Sequence, residues 1–238
     1  MPQLSVITIN FNNGNGLEKT IKSIVSQTFT DFEFIVIDGG STDNSIDVIK
    51  KHSDKIAHWV SEKDNGIYHA QNKGMHASKG EYCLFLNSGD TLANDKVLTT
   101  VFSEKMTADI VYGDMQTIEQ DQTVKHLKMP EKIGIKQLYR DTLWHPVSFI
   151  KRELFAKYGN YNEHFKIVAD YEFFVRVIIG KKVSTKHISH EIAVFDTSGI
   201  SSDMNKRKQL VEERREVQDM YFNPLLLFFF RLYSKLRS

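Results

Sequence analysis

Residues 4–10 (LSVITIN), 32–38 (FEFIVID) and 82–86 (YCLFL) are apolar runs without polar alternation. Runs of this kind predict strands covered on both faces, as in parallel sheets. Between the first two, Leu17, Ile21, Ile24 and Val25 recur at helical spacing behind the polar turn Asn12-Asn13-Gly14-Asn15-Gly16. Gly39-Gly40-Ser41-Thr42-Asp43 forms a second turn and offers N-caps to a helix carrying Ile46, Ile49 and Lys50. A weaker strand is expected over residues 56–61 and a helix over 67–78. Gly74 inside that helix costs about 1 kcal/mol relative to Ala, which points to close packing or a ligand. The order β-α-β-α-β-α-β over the first ninety residues implies right-handed crossovers and a doubly wound parallel sheet.

The second half has a different texture. Residues 108–115 (ADIVYGDM) predict another strand, and the alternation over 116–128 predicts a hairpin. Residues 143–153 are irregular and aromatic. Residues 170–179 form a compact helical pattern with Tyr171, Phe174, Val175 and Ile178 inward, and 183–188 and 191–195 read as two short closing strands. A charged helix is expected over 205–221, followed by the apolar and basic tail PLLLFFFRLYSKLRS.

The totals narrow the class. With 238 residues, 41% of them hydrophobic and 26% charged, the chain can bury a sizeable core. A formal net charge of +1 gives no general attraction to nucleic acid, and none is expected as a partner. Cys83 stands alone inside an apolar run, so it reads as a buried small hydrophobe and not as a nucleophile. Met1-Pro2-Gln3 leads directly into a strand pattern, and no apolar stretch approaches the ~20 residues of a membrane span. A cytoplasmic protein is the expectation.

The chemistry is expected at strand ends. The run Tyr82-Cys83-Leu84-Phe85-Leu86 stops at Asn87-Ser88-Gly89-Asp90, so a buried strand delivers a carboxylate where open α/β sheets bind their ligands. A dinucleotide fold would need Gly-x-Gly-x-x-Gly after the first strand. Gly14 and Gly16 are present, but position 19 is Lys19 and the turn is long and rich in Asn. No Gly-Lys-Ser/Thr phosphate loop follows any strand either. With acids at strand ends and no glycine cradle, diphosphate charge would be met by a metal ion held on carboxylate.

Five blocks, in order, resemble family 2 glycosyltransferases: SVITINFNN, QTFTDFEFIVIDGGSTDNS, SEKDNGIYHAQNKGMHASKGEYCLFLNSGD, HPVSFIKRELFAKYG and VADYEFFVRV. The resemblance covers about residues 3 to 180. It implies an α/β protein of GT-A fold, with a doubly wound, mostly parallel sheet, a small mixed acceptor-side region and C-terminal helices. It implies a transferase domain over residues 1–200, split into a nucleotide-sugar-binding half (1–115) and an acceptor-side half (116–200), with a helical extension over 201–238. It further implies an inverting transfer from a nucleotide-sugar to a hydroxyl of a glycan or lipid-linked acceptor, assisted by Mg²⁺ or Mn²⁺. On the family pattern, Ile9 and Phe11 pack the donor's base and ribose, and Asp38 stands beside the nucleotide. Asp64, Gly66, Asn72 and Gly74 shape the donor pocket. Asn87 and Ser88 belong to the metal motif that ends in the metal ligand Asp90. Asp170 falls on the position of the catalytic base, where partial burial is expected to raise its pKa. His145 is a candidate for diphosphate or acceptor binding.

Two positions depart from the family pattern. Gly39 stands where a second acid often follows Asp38, which weakens the case for a uridine nucleotide. Asn87 and Gly89 thin the metal motif to one acid. Other residues have structural readings beside functional ones: Asp170 as a helix N-terminal acid, Arg176 as a partner of an acid on its own helix, Asp114 as a strand-end contact to donor or acceptor. His69 and His76 lie seven apart on one helix without a third ligand. Residues 224–238 fit an interfacial helix on a membrane surface, or a helix docked on the domain or on a second copy in a homodimer. Rival functions are a nucleotidylyltransferase, for which the Asn12–Gly16 turn lacks an arginine, and a non-catalytic donor-binding scaffold.

Overall fold

The computed structural model describes residues 1–118, 123–197 and 204–235. The first half contains β1 (Leu4–Asn10), α1 (Gly14–Val25), β2 (Phe32–Asp38), α2 (Ser45–Lys51), β3 (His58–Ser61), α3 (Ile67–Ala77) and β4 (Tyr82–Phe85). It continues through β5 (Thr91–Leu92), α4 (Val97–Ser103), β6 (Ile110–Ile118), β7 (Val124–Leu127), α5 (Ile135–Arg140), β8 (Ser148–Lys151) and α6 (Glu153–Tyr158). The chain closes with α7 (Ala169–Phe174), β9 (Thr185–Phe195), α8 (Arg207–Tyr221) and α9 (Pro224–Lys235).

One sheet carries the molecule in the order β3-β2-β1-β4-β8-β6-β9-β5, with β7 hydrogen-bonded to β6. β3, β2, β1 and β4 are mutually parallel, as the repeated βα pattern requires. β8 runs antiparallel between β4 and β6, which restores β6 and β9 to the direction of β4. The C-terminal ends of β1, β2, β4, β6 and β9 therefore open on one edge of the sheet.

The uninterrupted apolar runs have a simple cause. Ile7, Ile35 and Phe85 face one core layer under α3, α6 and α7, while Val6, Val36 and Leu84 face the opposite layer under α1, α2 and α4. Both faces are covered, so neither half of the alternation is polar. Gly74 on α3 faces Ile7: a Cβ there would lie 2.4 Å from the Ile7 Cγ2, so its glycine serves close helix–sheet packing.

Several boundaries in the second half differ from expectation. The two strands expected over 183–188 and 191–195 are one, β9 (Thr185–Phe195), paired with β6 across register shifts beside Asp114. The shift lets one strand follow another of different local twist, and it hides the continuity from the hydrophobic pattern. Asp114 lies within β6 and not at a strand end. The expected hairpin is β6–β7, with Met115 opposite Leu127; its residues 119–122 lie outside those described. The helix over 170–179 is α7 followed by a π-helical turn, Val175–Gly180, and Tyr171, Phe174, Val175 and Ile178 are buried as expected. In the tail, Leu236 and Arg237 also lie outside the described residues.

Candidate active site

The sheet edge opens into a cleft of about 1010 Å³, lined by residues of both halves. Ile9, Phe11, Asp64, Gly66, Asn87, Ser88, Asp90, His145 and Asp170 all border it. Three expected site residues stand back from it: Asp38, Asn72 and Gly74, the last packed against Ile7. Asp38 is fully buried under the loop that follows β2. Its carboxylate accepts from Asn10 Nδ2 (2.7 Å), Ser41 Oγ (2.6 Å), Ser61 Oγ (2.6 Å) and the Ser41 N–H (2.9 Å). Burial works against the charge, but these donors outweigh it and hold Asp38 below the ordinary carboxylate range. Asp38 thus props the Gly39–Gly40 floor of the cleft from beneath. Asn72 faces the opposite way on α3, where its amide pairs with the Tyr161 backbone (3.0 and 3.1 Å) and with Glu163 (2.9 Å).

The turn after β4 is clamped from α1. Thr20, fully buried, donates to the Asp90 carbonyl (2.7 Å) and accepts from the Gly89 N–H (3.0 Å). Gly89 takes φ +107°, a conformation that side chains resist, and a Cβ there would meet Asp196 Oδ2 at 2.5 Å. Asp90 follows, only 3% exposed. Because β5 pairs antiparallel with β9, the residue before β5 and the residue after β9 are neighbours: the Asp196 N–H donates to Asp90 Oδ1 at 2.8 Å. Burial raises the Asp90 pKa to about 6; His145 opposes the shift and the negative charge of Asp196 adds to it. Asp196 borders the cleft beside Asp90 and was not foreseen from the sequence. The clue was present, since Asp196 ends the 191–195 apolar run as Asp90 ends its own.

The opposite wall is built by α7 and the segment before β8. Asp170 Oδ1 accepts from the Tyr171 N–H (2.8 Å) and lies 2.9 Å from the Tyr68 hydroxyl; Oδ2 lies 3.3 Å from His145 Nδ1. Burial alone would raise its pKa, but the His145 hydrogen bond and charge, with the Tyr171 and Tyr68 donors, lower it instead. This reverses the expectation of a raised value: the environment is buried yet rich in donors. The Tyr68 phenol is pushed well above its ordinary pKa by burial and by Asp170, so it remains a donor. His145 Nε2 lies 3.2 Å from Asn87 Nδ2, and Gln71 Nε2 donates to Asn87 Oδ1 at 3.2 Å. In a neutral ring, an Asn87 amide that donates to Nε2 leaves the ring's proton on Nδ1, facing Asp170. Asn87, expected in the metal motif, is therefore bonded to the opposite wall.

The remaining candidates resolve into structural roles. Arg176 pairs with Glu172 on its own helix (2.9 Å) and caps the Gly159 and Asn160 carbonyls. Asp114 accepts from the Met129 N–H (2.9 Å) and bonds His187 (2.9 Å). His69 accepts from the Asn65 N–H and His76 pairs with Asn160, so the two do not converge. Cys83 is buried, and that burial pushes its thiol up to about 12. Among the described residues no three acidic, His or Cys side chains form a complete metal cage. Asp90 and Asp196 nevertheless suit a hard cation: two neighbouring carboxylates, one of them nearly buried and destabilised by the other's charge, supply oxygen ligands that phosphate oxygens would complete.

Comparison with known proteins places this geometry in a family. The profile of Glycosyl transferase family 2 matches residues 5–168. An uncharacterized glycosyltransferase of Mycobacterium tuberculosis is 31% identical over 207 residues, covering 84% of this chain and 78% of that protein. Among solved structures, Staphylococcus aureus TarS 1-349 in complex with UDP-GlcNAc superposes with a TM-score of 0.68 at 17% identity, over 82% of this chain and 58% of that one. The mannosyltransferase PcManGT of Pyrobaculum calidifontis, in complex with GDP-Man and Mn²⁺, gives 0.62 at 16% identity, over 82% of this chain and 56% of that one. The chain thus spans little more than half the length of these solved chains. The sheet order and these superpositions establish the GT-A fold, and the chain belongs to glycosyl transferase family 2.

Proposed function

We propose that this transferase moves a sugar from a nucleoside diphosphate donor to a hydroxyl of a glycan or lipid-linked acceptor, with inversion at the anomeric carbon. The observation that carries the reading is one cleft with the Asp90–Asp196 pair at one wall and the Asp170–His145 pair at another. The acceptor oxygen attacks the anomeric carbon as the bond to the diphosphate breaks. Asp170, held ionised by its donors, takes the hydroxyl proton, and the Nδ1–H of His145 keeps that carboxylate aimed. Mg²⁺ or Mn²⁺, held by Asp90 and Asp196, would neutralise charge on the departing diphosphate.

A lipid-linked acceptor suits the C-terminus. No helix among the described residues is long and apolar enough to cross a membrane. On α9, Leu227 is buried and Phe230 packs on Tyr139 with ring centroids 4.7 Å apart, while Leu225, Phe228, Phe229 and Leu232 are exposed along one stripe. An outward apolar stripe in a segment with basic and no acidic residues fits the interface of an anionic bilayer. Flotation with anionic liposomes should require residues 224–238; equal flotation after their removal would refute the membrane role. For the reaction itself, a panel of nucleotide-sugars incubated with Mn²⁺ and acceptor glycans should release a nucleoside diphosphate from at least one donor. Failure across the panel, including slow donor hydrolysis, would count against the transfer reading.

A further inference from the structure

Helix α8 packs against the two segments that carry Asp170 and His145. Of its residues only Val217 and Gln218 are buried, so a large apolar contact is not what docks it. What it turns toward the domain is polar and aimed at backbone. The Glu213 carboxylate accepts from successive N–H groups of the chain ahead of α7: Lys166 (3.1 Å to each oxygen), Ile167 (2.9 Å) and Val168 (3.3 Å). Val168, the residue before α7, brings no side-chain acceptor of its own to these donors. Gln209 Nε2 donates to Glu213 Oε1 at 2.8 Å and steadies the carboxylate. From the cleft side, the Tyr68 hydroxyl is shared between the Ile167 carbonyl (2.7 Å) and Asp170 Oδ1 (2.9 Å). Arg214, the next residue of α8, reaches the other segment. Its Nη2 lies 3.3, 3.3 and 3.0 Å from the carbonyls of Leu138, Tyr139 and Asp141 at the end of α5, and its guanidinium covers the Tyr171 ring at 4.2 Å. Gln218 donates to the Tyr139 carbonyl (3.2 Å), and the Tyr171 hydroxyl donates to that of Leu138 (2.7 Å). Beyond Asp141 the chain runs directly to Trp144 and His145 in the cleft.

We propose that Glu213 and Arg214 are positioning residues of the transfer reaction, setting from α8 the separation of Asp170 and His145. The role rests on the transferase reading and adds to it two residues that touch neither substrate nor reacting atoms. Glu213 fixes the backbone just before Asp170. Arg214 fixes the backbone ahead of His145 while resting on Tyr171, the residue after Asp170. As neighbours on one helical turn, they tie the two segments to a common support. Asp170 Oδ2 and His145 Nδ1 stand 3.3 Å apart, near the outer limit of a hydrogen bond, so a small drift of either segment parts them. Misplacing a catalytic group by ~1 Å can cost about 10²-fold in rate. The helical extension expected beyond residue 200 thus belongs to the catalytic unit through α8.

The test is steady-state kinetics of the full chain with Mn²⁺ and the nucleotide-sugar that the donor panel turns over, beside calorimetric binding of the matching nucleoside diphosphate. Glu213→Ala should lower kcat by about 10-fold or more, while donor KM and nucleoside diphosphate affinity stay within about 3-fold. Arg214→Ala should show the same split. Glu213→Gln keeps a carbonyl oxygen for the same N–H groups and should return kcat to within about 3-fold of the unsubstituted protein. Glu216→Ala removes an exposed contact to His164 from the same helix and should leave kcat within about 2-fold. An unchanged kcat in Glu213→Ala, an equal fall in Glu213→Ala and Glu213→Gln, or a parallel loss of nucleoside diphosphate affinity overturns the positioning role and leaves the transferase reading intact. No turnover of any donor by the unsubstituted protein overturns both.

Discussion

The two walls of the cleft are assembled differently. The donor wall is local: Ile9, Phe11, Gly39 and Asn87 lie at the ends of adjacent parallel strands, and each strand end announces itself by an apolar run that stops at small polar residues. The opposite wall is long-range. Tyr68 and Asp170 are 102 residues apart, and Asn87 of the donor side meets His145 of this wall across 58. The donor wall can thus persist as a scaffold after the other is damaged, and substitutions should separate binding from turnover. The largest effect falls on the long-range wall: Asp170→Asn should lower kcat by about 10²-fold or more while nucleoside diphosphate affinity stays within about 3-fold. Steady-state rates together with calorimetry check this, and comparable losses in both would show that Asp170 holds the donor side instead.

The donor wall should fail in the reverse manner, through stability. Asp38 lies below its ordinary pKa of 3.8 in the folded state, so its stabilisation is present above that value and is lost as pH falls through the folded pKa. Asp38→Asn leaves several donors facing an amide, and a loss of roughly 2 kcal/mol at pH 7 is expected. The melting gap to the unsubstituted protein should narrow at pH 3, where the carboxylate is losing its advantage. A gap constant from pH 7 to 3 would contradict the account of Asp38 as a buried, donor-held anion.

The same contrast explains what was legible in the sequence. β1, β2 and β4 were readable because both faces are apolar, and Asp90 because it closes the short polar turn at which the apolar run of β4 stops. Asp196 was missed although it obeys the same rule, since the bulge in β9 broke its strand into two weak signals. The family pattern puts Asp38, which closes β2, beside the nucleotide. Whether a strand-end acid faces the cleft or the loop beneath depends on where Ser41 and Ser61 fold, which no periodicity records. The lowered pKa of Asp170 was equally hidden, because burial is visible in a hydrophobic pattern and the donors from Tyr68 and His145 are not.

A smaller effect tests whether Asp196 makes up for the thinned motif. Asp196→Ala should raise the Mn²⁺ concentration for half-maximal activity by about 10-fold, the lower range for loss of a supporting carboxylate at a metal site. Saturating Mn²⁺ should restore most of kcat. A metal titration with an unchanged midpoint would remove Asp196 from that role.

Asn87 is the residue at which the two walls meet. It sits in the metal motif by sequence, yet its side chain bridges Gln71 and His145. An aspartate here, as the family often has, could not donate to a neutral His145 Nε2. On the proposed reading, the asparagine holds a tautomer at the cost of an anionic ligand, and Asp196, which follows β9, would supply the second carboxylate. Asn87→Ala removes one neutral hydrogen bond, so kcat should fall by roughly 3- to 10-fold. Donor KM should change little, because the chain's donor-side contacts remain. The ¹⁵N shifts of the His145 ring should move from a single Nδ1–H form toward a mixture of tautomers. If the ring shifts are unaltered while kcat falls, Asn87 acts on the donor directly, and the division between the two walls has to be redrawn at that residue.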